Sequence, residues 1–302
     1  MINFSTLQGL TIPEGVVTQI ADASGRVLWA LKSGTKAVLQ VAKQTKDTYA
    51  GETTYTGESF VAIDVYPKTN GTVKVTYGGL TKTITDTSGV ENPNTQTVYF
   101  GTLYGVSDSV ATPDSGELTI EGQFQAFGCG SYYYMTSKLG QQMGICSCIT
   151  EVSEWGDVTT IPGSAFLNCT GLALTSLPSG ITSIGTSAFM GCTSLALTSL
   201  PSGITFISYA AFSGCTSLTN ITIPAGVTNI DMAAFFLSAG QRTIYFLGTT
   251  PPTLPTDSSG AIQWPFGPSA VTYFVVPKGC GDAYRAAGYV REGHADTVTE
   301  AS

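Results

Sequence analysis

Four phenylalanines, Phe166, Phe189, Phe212 and Phe235, stand 23 residues apart, and other positions keep the same register. Cys169, Cys192 and Cys215 share the step, as do Leu172, Leu195 and Leu218, and Pro178, Pro201 and Pro224. The clearest copies are LTSLPSGITSIGTSAFMGCTSLA (174–196) and LTSLPSGITFISYAAFSGCTSLT (197–219), identical at 17 of 23 positions. A unit of this length cannot bury its own apolar side, whereas a stack of such units makes a continuous core. The period therefore predicts a solenoid. In one coil Leu174, Leu177, Ile181, Ile184, Ala188, Phe189, Cys192 and Leu195 are expected to point inward, each onto its counterpart about 4.8 Å away in the next coil. Every large side chain so buried stabilises by about 1.5–3 kcal/mol, reason enough for these letters to recur.

The letters that change are as informative. Five of the six differences between the two copies fall between positions 183 and 190, where Ser183 is matched by Phe206 and Thr186 by Tyr209. Inside the same arc, Ile184, Ile207 and Ile230 do not change. One short arc of each coil thus varies outside while its inside is kept, and stacked arcs form a stripe carrying Phe206, Tyr209, Met232 and Phe236. Exposed aromatics in a stripe are candidate anchors for a partner. Drift at unconstrained positions, or packing against another module, accounts for the same pattern. Tyr132, Tyr133 and Tyr134 form a similar case, contact surface or core of a cap.

Elsewhere the chain is expected to be mostly β, in five parts. Residues 1–32 read as a short β module and possible docking segment, with VVTQI and RVLWA flanking a turn at Asp22, Ser24 and Gly25. Residues 33–121 hold strand-like runs about ten residues apart and suggest an immunoglobulin-like β-sandwich. Residues 122–154 break that rhythm and read as linker and N-cap. The repeats occupy 155–255, and 256–302 form a C-terminal cap and tail. The N-terminus has no basic region followed by an apolar core, so no signal peptide is expected.

Charged residues are only 11% of the chain, and the net charge is −8. That balance gives no basic stripe for nucleic acid, and no apolar run is long enough for membrane insertion. Between 155 and 240 the only charged side chains are Asp157 and Asp231. They are out of register and about three layers apart, too far for a paired-carboxylate hydrolase. Glu52, Glu58 and Asp64 read as a solvated sheet edge. The single histidine, His294, lies in a polar tail without a nucleophile elbow, so no catalytic residues, cofactors or metal site are expected. Of seven cysteines, Cys169, Cys192 and Cys215 read as small buried hydrophobes. Cys146 and Cys148 lack the two-residue gap of a metal knuckle and read as cap packing, with a disulfide to Cys129 or Cys280 an alternative in oxidising surroundings.

The pattern AFxxCTxLxxLxxPxGxTxI resembles the BspA-type leucine-rich repeat, a family of bacterial surface and secreted proteins and of phage-borne proteins. VTYFVVPKGCGDAYRAAGY (271–289) resembles the usual ending of such arrays, a last strand and a short helix. LTIPEGVVTQIADASGRVLW resembles N-terminal segments of phage structural and tail-associated proteins. These resemblances imply a non-enzymatic virion component, tail- or surface-associated. Its N-terminal part would dock on other virion proteins and its repeats would meet a host surface protein or glycan, with the chain a homo-oligomer. The alternative they imply is a bacterial cell-surface adhesin.

Overall fold

The computed structural model describes residues 19–21, 27–30, 35–45, 59–68, 71–85, 96–103, 106–108, 111–129, 131–136, 140–145, 148–236, 241–267 and 271–302. At the N-terminus β1 (Gln19–Ala21) pairs antiparallel with β2 (Val27–Ala30), Ile20 opposite Trp29. The turn between them, and most of the stretch with the phage-like resemblance, lie outside the described residues.

Next come β3 (Thr35–Ala42), β4 (Gln44–Thr45), β5 (Ser59–Pro67), β6 (Thr72–Tyr77) and β7 (Leu80–Thr85). They are followed by β8 (Gln96–Leu103), β9 (Val106–Ser107), β10 (Ser115–Gly122) and β11 (Phe124–Cys129). A hairpin of β12 (Ser131–Thr136) and β13 (Gly140–Ile145) leads into β14 (Ile149–Trp155). Two antiparallel sheets result, ordered β14-β3-β10-β6-β7 and β11-β5-β8-β9, with β4 paired to β5. Period-two alternation builds them: β6 buries Val73, Val75 and Tyr77 while Thr72 and Lys74 face solvent. The sheets share a core, in which Tyr77 of the first meets Phe100 of the second edge-on at 5.8 Å. The immunoglobulin likeness rests on strand rhythm alone.

The stretch 122–154, read from its composition as linker and cap, supplies strands to both sheets. β11 pairs with β5, and β14 pairs with β3. Phe127, Cys129, Cys148, Ile149 and Val152 are buried in the same core. Glycines and a tyrosine run break the apolar rhythm here, which is why the strands escape a reading by alternation.

From here the chain coils. β15 (Thr160–Ile161) pairs with β16 (Ser183–Ile184), and β17 (Phe206–Ile207) with β19 (Asn229–Ile230), all parallel. On a second face β18 (Asn220–Ile223), β20 (Gln241–Phe246), β21 (Val271–Val276) and β22 (Thr297–Glu300) form a parallel sheet, with α1 (Gly281–Ala286) between the last two strands. Of the inward positions expected in the second coil, all are buried except Leu177, which is half-buried.

The repeated phenylalanines make one column. Phe166, Phe189, Phe212 and Phe235 stack nearly parallel at 5.1, 5.6 and 5.4 Å, and Phe266 continues the column at 5.7 Å although the sequence step lengthens. Nearly parallel rings at these separations are offset-stacked, an arrangement aromatic pairs favour, and the coil repeat sets the step between them. The cysteines are buried as expected, and they also donate: the Cys192 thiol to Phe166 O at 2.9 Å, the Cys215 thiol to Phe189 O at 3.1 Å. Threonines tie the outside. Thr182 and Thr228 each offer both backbone N–H and hydroxyl to the threonine carbonyl one coil earlier.

Each coil also turns through two left-handed residues. Asn168, Gly191 and Gly214 hold one position, where a Cβ on Gly191 would fall 2.2 Å from Asn168 Oδ1. Ser164, Ser187, Ala210 and Ala233 hold the other, at φ from 51 to 58°. No glycine relieves that second position.

The sandwich is docked on the first coil. Cys129 N–H donates to Ala165 O, and a Cβ on Gly128 would lie 2.8 Å from Ala165 Cα. Phe127 meets Trp155 and Phe166, and the free thiols of Cys129 and Cys169 approach to 3.1 Å. At the other end the tail read as polar is structured. Its TVTE stretch is β22, and Asp296 is buried, accepting from Thr272 N–H and from both Arg291 Nε and Nη2. Arg291 in turn lies 4.7 Å over Trp264. His294 is exposed.

Three outcomes follow. Phe212→Ala opens a void between two stacked rings and is expected to cost about 3–5 kcal/mol in urea unfolding. Ala233→Gly relieves a left-handed Cβ and is expected to gain about 1 kcal/mol in the same assay. Burial pushes the Cys215 thiol up to about 12, and Cys192 is raised by the same cause. An unfolded thiol ionises near pH 8.5, so the unfolded chain binds fewer protons above that pH and stability falls as pH rises toward the folded values. The melting temperature is expected to drop above about pH 9, and both thiols should resist iodoacetamide until the chain is unfolded.

Candidate binding surface

The variable arc emerges where β16, β17 and β19 stack. Ile184, Ile207 and Ile230 point in, and the residues before them point out, Ser183 and Phe206 exposed and Asn229 half-buried. Phe206 is 44% exposed, Tyr209 42% and Met232 38%, values high for side chains of this size. Met232 follows Tyr209 at the same phase one coil on, and Ala210 N–H donates to Met232 O across that step. Asp231 accepts from the Met232 N–H at 2.6 Å, fixing the turn that presents Met232. Ser208 sends its hydroxyl to Ile184 O, holding the backbone between Phe206 and Tyr209. Three of the four residues expected on the stripe thus share one outer arc. Phe236 differs in burial: it is half-buried, while its carbonyl takes Gly214 N–H as those of Ser213 and Met190 take Gly191 and Asn168 N–H one and two coils earlier. Tyr132 and Tyr133 lie on β12, opposite Gly144 and Met143 of β13, and their side chains lie outside the described residues.

Three features escaped the sequence reading. Met190, on the same arc one coil earlier, is 40% exposed. On the second face Tyr245 on β20 and Tyr273 on β21 are exposed, as is Leu247 just after β20. Their signal was the alternation in TIYFLG and VTYFVV, whose tyrosines point out while Ile244, Phe246 and Phe274 point in. The third is a cleft of about 460 Å³ between β14 and residues 173–178, lined among others by Trp155, Glu151, Thr175 and Ser176. It depends on the way β14 leaves the sheet, which no local pattern encodes.

Of the acidic residues weighed from sequence, Asp64 takes a hydrogen bond from Thr97, and Glu52 and Glu58 lie outside the described residues. Among the described residues no three His, Cys, Asp or Glu side chains cluster as metal ligands. No described helix is long and apolar enough to cross a membrane, which says nothing of spanning strands.

Against known families, residues 144–250 match the BspA type leucine rich repeat region in six copies, that is 107 of 302 residues. No curated protein matches the chain. Among solved structures it is similar to a leucine-rich repeat protein from Bacteroides ovatus, at 22% identity and a TM-score of 0.28. That similarity covers 39% of this chain and 36% of the other, so the chain spans little more than a third of the relative's length. The match begins before the first counted repeat, and Glu151–Glu154 on β14 stand one period ahead of Leu174–Leu177. Residues 144–250 thus match a BspA-type leucine-rich repeat region, and from Thr160 onward the described part of that stretch coils as a β-solenoid.

Proposed function

We propose that the chain is a non-enzymatic binding protein that adheres to a cell surface through its repeats. The observation that carries this is the exposed arc of Phe206, Tyr209 and Met232 on a solenoid with two charged side chains between 155 and 240. Large apolar side chains on an otherwise polar, sparsely charged face favour a partner that covers them, and recognition there works by shape and hydrogen bonding. In the form we favour, the chain is a phage virion component. Its N-terminal part docks on other virion proteins, and its repeats, in several copies, meet a host surface protein or glycan. The resemblance of LTIPEGVVTQIADASGRVLW to phage tail-associated segments supports this form.

A bacterial cell-surface adhesin is the second reading, and the BspA-type match favours it equally. Labelled protein applied to a panel of bacterial cells tests the common core of both. The double variant Phe206→Ser/Tyr209→Ser is expected to cut cell binding at least tenfold while its melting temperature stays within a degree or two, since both side chains are exposed. Unchanged binding would remove the arc as the adhesive surface. Mass spectrometry of purified phage particles separates the contexts: presence in particles supports the virion component, and absence from particles with presence in the cell envelope supports the adhesin.

A further inference from the structure

The cleft at the head of the solenoid has a structural origin. Residues 151–154 are the phase equivalent of 174–177, so β14 occupies the place of the first coil's layer on the second face. Later layers there are stitched together: Ala196 N–H donates to Leu174 O, Thr198 N–H to Thr175 O, and Thr222 N–H to Thr198 O. Between 151–154 and 174–177 the described residues have no such bond. β14 instead pairs antiparallel with β3, with register shifts on both sides of Glu151–Val152, and follows the twist of the sandwich sheet. The two layers touch at one end, where a Cβ on Gly171 would sit 3.5 Å from Thr150 Cγ2, and part at the other, where Trp155 stands. The result is a wedge rather than a slot.

Its chemistry is specific. Trp155 and Leu177 are half-buried and give apolar surface, with Phe127 and Phe166 packed behind the indole ring. Thr175 and Ser176 are exposed hydroxyls, and Glu151 is an exposed carboxylate. The Thr150 and Ser153 hydroxyls are spent on Gln40 O and Val38 O and fix the β14 wall. No lysine or arginine lines the cleft, which disfavours anionic ligands, and the convergence at Gly171 leaves no length for an added peptide strand. An indole beside hydroxyls and a carboxylate suits a compact ring that is apolar on its face and hydroxylated at its edge. The volume lies within the range of small-ligand sites.

The geometry points to the wedge between β14 and the first repeat layer as a binding site for a neutral oligosaccharide, a sugar ring lying against Trp155 and its hydroxyls meeting Glu151, Thr175 and Ser176. Beyond the mouth, Ser199, Thr222 and Tyr245 continue the outward line of Ser176 along the paired layers, a hydroxyl track on which further sugar units can lie. The assignment rests on the adhesive reading and names its ligand class. The full chain is titrated by calorimetry with lactose, maltotriose, cellotriose and mannotriose, and with sialyllactose as the anionic control. At least one neutral sugar is expected to bind with a Kd of about 1 mM or tighter, and more tightly than sialyllactose. Thr175→Trp, which fills the mouth from an exposed position, and Glu151→Gln should each weaken that binding about tenfold or more, one by occlusion and one by loss of an acceptor. Phe206→Ser/Tyr209→Ser should leave it unchanged. Failure of every neutral sugar, tighter binding of sialyllactose, or binding indifferent to Thr175→Trp overturns the site. Cell binding lost in the Phe206/Tyr209 variant while no sugar binds overturns the cleft and spares the adhesive arc; sugar binding without cell binding does the reverse.

Discussion

The coil-to-coil contact is the interaction on which everything else depends. A layer of 23 residues with two- and four-residue strands has too little regular structure to persist alone. What holds it is repetition of shape, phenylalanine rings stacked on one another and inter-coil carbonyls taking N–H groups, thiols and hydroxyls. The requirement is strict, since a side chain of different size inside one layer would have to be matched in the layers above and below. It is also local to the inside. Outside, nothing but solvent limits the choice, and there serine gives way to phenylalanine and threonine to tyrosine without disturbing the column.

A stack needs ends, and the two ends are closed differently. At the C-terminus the sheet runs on through β21 and β22, α1 covers the last layer with Tyr284, and the buried Arg291–Asp296 pair braces the final turn. At the N-terminus the cap is the sandwich itself. β14 belongs to two structures with opposed demands: antiparallel pairing and twist on the side of β3, parallel stacking on the side of the first repeat. It satisfies the first, and Phe127, Trp155 and Phe166 keep the core continuous across the junction. The wedge left between β14 and residues 174–177 is the geometric residue of that conflict.

This explains what could be read in advance. The repeats were legible because a period is a global statement made locally: Phe166, Cys169 and Leu172 announce their neighbours by arithmetic. The outward arc was legible by contrast between copies, which is how Phe206, Tyr209 and Met232 were found. Phe236 is half-buried, and its phase gave no warning, since the equivalent Met190 is exposed and Ser213 buried. The strands in 122–154 were illegible for a related reason. β11 and β14 are defined by distant partners, Phe124 by Pro67, 57 residues away, and Glu151 by Gln40, 111 residues away, and no pattern within them reports that pairing. Phe266 joins the ring column after an irregular step, visible only once the chain has folded back.

The same separation of inside from outside bears on recognition. A stack this uniform can vary its surface one layer at a time without losing stability, but it can hardly form a deep pocket, because each layer lies directly on the next. Concave sites must therefore arise where the repetition fails. In this chain it fails at the junction with the sandwich, where an indole, two hydroxyls and a carboxylate line the gap. The regular part offers a broad, shallow, apolar arc, and the irregular part offers an open cleft. Broad contact tolerates sequence drift and suits a variable surface. A concave site demands fixed geometry, and it is found where β14 is held by its pairing with β3.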